Sequence, residues 1–192
     1  MAKAGAHSAG TAVSPAIPDP GSTLVAAFNA ARDELVSTLM YVLGSRDDAQ
    51  DAAQDAFLKC WKARDQIPDV QNLRAWIFRV ALNTAKDVRR SAWNRKSRSF
   101  SGEEFSIVGR EVPPEDELDD KDALVRIRAA IFELRQDERE IFLLRQNGNL
   151  TYEQIAEMRE TPIGTVKTQM RAALMKLKKI LAGETAGEEL ES

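Results

Sequence analysis

Two helix starts, Thr151 and Thr161, fall ten residues apart in NLTYEQIAEMRETPIGTVKTQMRAALMKLKKIL, the stretch from Asn149 to Leu181. Thr151 with Gln154 three residues on forms a capping box, which predicts a short first helix that buries Ile155 and Ala156. Thr161 is expected to cap the next helix, with Pro162 at its first position, where a missing N–H costs nothing. From there Ile163, Val166, Met170, Ala173, Leu174, Leu177 and Leu181 recur at helical spacing, while Thr165, Lys167, Thr168, Arg171, Lys176, Lys178 and Lys179 lie largely off that stripe. No acid interrupts Pro162 to Leu181. Two helices joined by a tight turn can place the first half of the second helix in a DNA major groove, which makes Thr165, Lys167, Thr168 and Arg171 candidate readers. An ordinary helical hairpin with a solvated lysine face has the same pattern, so the rest of the chain must decide.

Val, Ile and Thr are scattered at helical spacing instead of clustering in alternating runs, so the expected fold is all-α. The 192 residues suffice for one medium domain or two small ones. One cysteine, Cys60, and one histidine, His7, cannot build an internal disulfide or a Cys/His metal cluster, and no cofactor is expected. Cys60 lies on an apolar helix face, which favours a packing role. A nucleophile–base pair and a phosphate-cradling glycine loop are both missing, which argues against an enzyme. Nothing approaches the ~20 apolar residues of a membrane span or the core of a signal peptide, so a cytoplasmic protein without membrane insertion is expected. The net charge of −3 is unusual for a freestanding DNA binder, because phosphate neutralisation supplies most non-specific affinity. Such a chain should bind DNA weakly alone and draw further affinity from a partner.

In chain order, residues 1–21 are rich in Ala, Gly, Ser and Pro and read as a disordered tail. From Ser22, Leu24, Phe28, Ala31, Leu35, Leu39 and Val42 mark one face of a helix ending near Gly44, a plausible left-handed cap. A second helix from about Asp47 carries Ala49, Ala52, Ala53, Ala56, Phe57, Cys60 and Trp61 on its apolar stripe. Its other side presents Asp48, Asp51, Gln54, Asp55 and Leu58, a hydrophobe among carboxylates. That is either a solvated face or a docking surface for a basic partner. A loop, Asp65 to Asn72, is broken by Pro68. The third helix runs from Leu73 towards Arg90 with Trp76, Ile77, Val80, Ala81, Thr84 and Val88 buried and Arg74, Arg79, Asn83, Lys86, Arg89 and Arg90 at its margins. Between Lys86 and Arg98 six cations face the single acid Asp87, with Trp93 among them, a composition suited to a single-stranded or distorted nucleic acid; Trp93 can stack on a base or close the helical core. Residues 99–121 form a linker whose second half is strongly acidic. Residues 122–182 resume with Leu124, Ile127, Ile131 and Leu134 on one helix and Ile141, Phe142 and Leu144 on another that starts at Asp137. Residues 183–192 read as a frayed tail.

These segments together resemble a bacterial RNA polymerase sigma factor of the extracytoplasmic-function (group IV) type. DDAQDAAQDAFLKCWKA is similar to the region 2.2 helix, NLRAWIFRVALNTAKDVRR to regions 2.3 and 2.4, and LRQDEREIFLLRQNGNLTYEQIAEM followed by TPIGTVKTQMRAAL to region 4. The resemblance implies two helical domains, residues 22–98 (region 2) and 122–182 (region 4), and a role in promoter-specific transcription initiation. It implies that Asp48, Asp51, Gln54, Asp55 and Leu58 dock on the β′ coiled coil of core polymerase, with the β flap as a second contact. Asn72, Arg74, Asn83, Lys86, Arg89 and Arg90 would open and hold the minus-10 box of promoter DNA, and Thr165, Lys167, Thr168 and Arg171 would read the minus-35 box. An anti-sigma factor would be a further partner. The family commonly has Leu-Gly-Val before the proline of the turn, where this chain has Arg159, Glu160 and Thr161; a positive φ at Glu160 would carry strain of about 1 kcal/mol. Leu82 stands where the family is often polar, which argues against a DNA contact there. The rival readings are a dimeric helix-turn-helix regulator, which the net acidity disfavours, and a sigma-like adaptor that sequesters a regulator, for which the basic segment is hard to explain.

Overall fold

A computed structural model describes residues 19–98 and 121–182, with side chains from 19 to 92 and from 123 to 182; the expected linker core, the tails apart from Asp19 to Gly21, and the Trp93 side chain lie outside the described residues. Seven α-helices and one 3-10 segment make up the regular structure, and no strand occurs among the described residues.

α1 (Pro20–Leu43) starts two residues before the expected Ser22, because Asp19 Oδ2 accepts a hydrogen bond from Ser22 N at 2.8 Å. It ends at Gly44, whose φ of 82° lets its N–H reach Met40 O at 2.7 Å. Ser45 caps α2 (Arg46–Lys62), and Asp47 and Asp48 sit at the positive end of its dipole. The buried face of α2 is built from Ala49, Ala52, Ala53, Ala56 and Cys60, small side chains that let neighbouring helices come close. The expected loop contains a 3-10 segment, Arg64–Asp69, that buries Ile67. α3 (Leu73–Arg98) continues eight residues past the expected Arg90, so the basic segment is helical. Phe78, Leu82 and Ala85 join Ile77, Ala81 and Thr84 on its buried side, while Trp76, Val80 and Val88 are half-buried. Together α1, α2 and α3 enclose the first core, in which Phe28 meets Phe57 edge to face at 5.1 Å.

The second core lies among α4 (Lys121–Glu133), α5 (Gln136–Gln146), α6 (Tyr152–Met158) and α7 (Ile163–Leu181). Lys121, expected in the linker, opens α4. Ala130, Ile131 and Leu134 are buried, but Leu124 and Ile127, expected on the same inward face, are 49% and 40% exposed. The capping box at the start of α6 is complete, with Thr151 N donating to Gln154 Oε1 at 2.8 Å and Gln154 N to Thr151 Oγ1 at 3.2 Å. The start of α7 departs from expectation. Pro162 has ψ of 138°, outside the helical region, so it is the cap residue and not the first helical position; the Thr161 hydroxyl donates back to Arg159 O at 3.0 Å instead of capping. Glu160 has φ of 51°, the strained conformation its position in the turn suggested.

The two cores meet. Tyr41 of α1 stacks at 5.0 Å on Phe132 of α4, and Arg139 of α5 donates to Tyr41 O at 2.9 Å. Asn147, just beyond α5, reaches Thr38 Oγ1 at 3.2 Å.

Candidate nucleic-acid interface

α7 is anchored by Val166, Met170, Ala173 and Leu177, which turn the opposite side of the helix outwards. Thr165, Lys167, Thr168 and Arg171 are all exposed on that side. The Thr168 hydroxyl donates to Gly164 O at 2.9 Å, so it meets outside groups with its lone pairs and methyl. Beyond Gly164 nothing stands within 4 Å of where a Cβ would project, so the first turn of α7 is unobstructed. The stripe is less completely buried than its spacing suggests, with Ile163, Leu174 and Leu181 more than a third exposed; Met175, off the stripe, is 64% exposed.

The six candidates on and before α3 divide into three groups. Asn72 caps the helix, its Oδ1 accepting from Ala75 N at 2.9 Å. Asn83 and Arg89 are exposed, as is Arg90, which makes a 2.8 Å ion pair with Asp87 on its own helix. Arg74 and Lys86 instead end on the second core. Arg74 Nε donates to Gly148 O at 2.7 Å and its Nη2 to Asn147 O at 2.8 Å, while Lys86 Nζ lies 3.1 Å from Glu140 Oε2. A cleft of about 490 Å³ lies beside them, lined by Asn72, Trp76 and Arg79 from one side and Gln154, Glu157 and Met158 from the other.

On α2, Asp48, Asp51, Gln54, Asp55 and Leu58 are exposed together, Leu58 at 48%. Trp61, expected inside, is 38% exposed one turn further on, with the Arg64 guanidinium 5.0 Å from its ring centre. Sequence spacing alone missed it: Trp61 falls at the edge of the alanine stripe, where a large ring overhangs the core. Buried acids were missed as well. Glu138 and Glu140 are 7% and 1% exposed, held by Lys176 at 2.7 Å and by Arg159 at 2.8 Å respectively. Burial pushes the Cys60 thiol up to about 12, which leaves it protonated and unreactive at neutral pH. Among the described residues no group of three or more His, Cys, Asp or Glu side chains is placed to hold a metal ion. None of the described helices is long and apolar enough to cross a membrane.

An all-α frame with an exposed acidic face on α2, a basic α3 and a turn-linked, outward-facing α7 is the kind of arrangement a nucleic-acid-binding protein presents, and sequence comparison specifies the family. The sigma-70 region 2 profile matches residues 27–95, and the sigma-70 region 4 profile matches residues 124–177. The two matches together cover well over half of the chain, which belongs to the sigma-70 family as an extracytoplasmic-function sigma factor. The ECF RNA polymerase sigma-E factor of Escherichia coli (strain K12) is 29% identical over 130 residues, 64% of this chain and 68% of that protein. The RNA polymerase sigma-H factor of Pseudomonas aeruginosa is 26% identical over 155 residues, 77% of this chain and 80% of that one. In fold, the chain is similar to the sigma factor RpoE solved with the anti-sigma factor NepR from Bartonella quintana, with a TM-score of 0.61, 24% identity and coverage of 84% of this chain and 95% of that one. It is also similar to CnrH solved with the cytosolic domain of CnrY, with a TM-score of 0.56, 22% identity and coverage of 87% and 100%.

Proposed function

We propose that this sigma factor acts in the cytoplasm, has no catalytic residues of its own, and gives core RNA polymerase its promoter choice through three surfaces. Asp48, Asp51, Gln54, Asp55 and Leu58, extended by Trp61, dock on the β′ coiled coil. Carboxylates around an apolar point suit a basic partner, and the exposed pair Leu58 and Trp61 supplies the desolvated centre of such a contact. Thr165, Lys167, Thr168 and Arg171 enter the major groove at the minus-35 box. Asn72, Arg74, Asn83, Lys86, Arg89 and Arg90 hold the opened minus-10 strand, at a cost of a few kcal/mol per unstacked base that the whole holoenzyme offsets. The β flap contacts the region 4 module.

The observation that carries this reading is the ordered pair of region 2 and region 4 matches, each laid over a helix that exposes the expected polar set. The solved relatives described with an anti-sigma factor or a partner's cytosolic domain support control by a protein of that kind here. Reconstituted transcription tests the proposal: core polymerase with this chain should initiate from a subset of genomic promoters that core alone ignores. Absence of chain-dependent initiation from every promoter in the genome would overturn it.

A further inference from the structure

A shallow groove of about 300 Å³ runs along the outer side of α7. Its cations are Lys167, Arg171 and Lys178, and its apolar lining is Met170, Leu174 and Met175, with Leu174 47% and Met175 64% exposed. Base reading accounts for only half of this. Lys167 and Arg171 suit phosphates and base edges, but Leu174 and Met175 offer an anion nothing to bind. Exposed apolar area beside cations fits an occupant that is both acidic and apolar. Among the described residues, Arg171 and Lys178 make no ion pair that would already satisfy them.

The chain itself carries such an occupant. Residues 183–192, GETAGEELES, follow α7 directly and lie outside the described residues. They hold the acids Glu184, Glu188, Glu189 and Glu191, no cation, and one large apolar side chain, Leu190. Gly183 stands just beyond Ala182, the cap residue of α7, where a glycine most readily takes the left-handed turn that directs a chain back along its helix. The distances agree. Leu174 lies about 12 Å and Arg171 about 16 Å before Ala182, at ~1.5 Å per helical residue. Gly183 to Leu190 can span about 26 Å at ~3.3 Å per extended residue. Leu190 therefore reaches Leu174 and Met175 with length to spare for the turn, which brings its neighbouring glutamates beside Arg171 and Lys178.

We propose that residues 183–192 fold back on α7 in the chain unbound to DNA, with Leu190 on Leu174 and Met175 and the glutamates on Arg171 and Lys178, and mask the minus-35 reader until promoter DNA displaces them. This inference rests on the reading of α7 as the minus-35 helix. A tether this short supplies an effective concentration on the order of mM, so a contact too weak to hold between separate molecules is populated within one. Every DNA sequence must displace the segment before it meets Arg171. The mask thus lowers binding to non-promoter DNA, whereas a correct box held by the whole holoenzyme overcomes it.

The test uses the full chain with isotopically enriched methionine methyl groups and a nitroxide on Ser192→Cys, while buried Cys60 stays unlabelled. The nitroxide should broaden the methyl resonances of Met170 and Met175 and spare that of Met40 in the first core. Leu190→Ser should remove the broadening. Sharp Met170 and Met175 resonances in the parent overturn the docking. Equal broadening between enriched chains and separate nitroxide-bearing chains assigns the groove to a second copy and overturns it too. Masking is read from binding to a fluorescent duplex that carries only the upstream half of a promoter used by the holoenzyme. Leu190→Ser and Met175→Ser change no charge. If the docked form outnumbers the open form about two to one, each should tighten binding about threefold. The double variant should gain no more than either alone, because both remove the same contact. Unchanged affinity in both variants overturns the masking. Weaker assembly of Met175→Ser with core polymerase, with Met170 still broadened, gives the groove to polymerase and also overturns it. Arg171→Ala on the same duplex reads the minus-35 role separately, so each idea can fail alone.

Discussion

The Glu140 carboxylate is shared between two cations of different modules, Lys86 of α3 at 3.1 Å and Arg159 at 2.8 Å. The two partners differ in burial, with the Lys86 side chain 41% exposed and that of Arg159 14% exposed. Removing the acid takes from the largely buried Arg159 guanidinium its buried acceptor and leaves it only the more exposed Asp137 at 3.0 Å, whereas removing the lysine leaves Glu140 still paired. Glu140→Ala is therefore expected to destabilise the chain by about 1.5–3 kcal/mol, the range for losing hydrogen bonds to a charged group. Lys86→Ala should cost about 1 kcal/mol or less. Urea unfolding of both variants checks the contrast, and equal costs would refute it.

Glu160 sets backbone strain against an ion pair. Replacement by glycine relieves about 1 kcal/mol of left-handed strain and gives up an exposed pair with Arg79, itself contributing about 0.2–1 kcal/mol. Glu160→Gly should consequently unfold at an unchanged or slightly higher urea midpoint. Glu160→Val, β-branched at a positive φ, should lose at least about 1 kcal/mol. A glycine variant clearly less stable than the parent would show that the ion pair dominates.

The Cys60 thiol provides a pH signature. Its folded pKa of about 12 lies above the value of about 8.5 for an unhindered thiol, so the folded state disfavours the thiolate. The stability this contributes is fully present below pH ~8 and is lost as pH rises towards 12, at up to about 1.4 kcal/mol per unit. Unfolding free energies of the parent and of Cys60→Ala, measured as a function of pH, should keep a constant difference below pH ~8. The difference should shift against the parent above pH ~9. A pH-independent difference across that range would contradict the thiol's burial.

Arg171 is exposed on the α7 face that carries Lys167 and Thr168. A bidentate contact from it to a guanine would make Arg171→Ala cost about 1–3 kcal/mol at the upstream box and relax specificity at one base pair. Affinities of the variant holoenzyme for single-base promoter variants measure this. An unchanged pattern of preference would remove Arg171 from the readers.

Much of this architecture was legible from local chemistry. The capping box at Thr151 and Gln154, the glycine stop at Gly44 and the alanine stripe of α2 act within one or two helical turns, so a short window contains their causes. The exposed polar sets on α2 and α7 follow from the same periodicity. What escaped depends on distant partners. Glu138 and Glu140 are buried because Lys176, Arg159 and Lys86 arrive from other helices, and nothing near them in sequence signals it. Leu124 and Ile127 share the spacing of Ile131 but lie on a part of α4 that is not covered. Pro162 satisfies the rule for a first helical residue equally well as a cap, and only its ψ decides between them. Arg74 and Lys86 look like their outward-facing neighbours until the second core is placed against them.

Asn72 carries one last consequence. Its side-chain oxygen is engaged by Ala75 N at the head of α3, so the face it offers to anything outside is its NH₂ group. While the cap persists, a nucleobase recognised there must present a carbonyl or ring-nitrogen acceptor, and an exocyclic amine would meet a donor facing a donor. If Asn72 meets the minus-10 strand as proposed, a feature that begins as a helix-starting device would act as a chemical filter on the bases accepted beside α3.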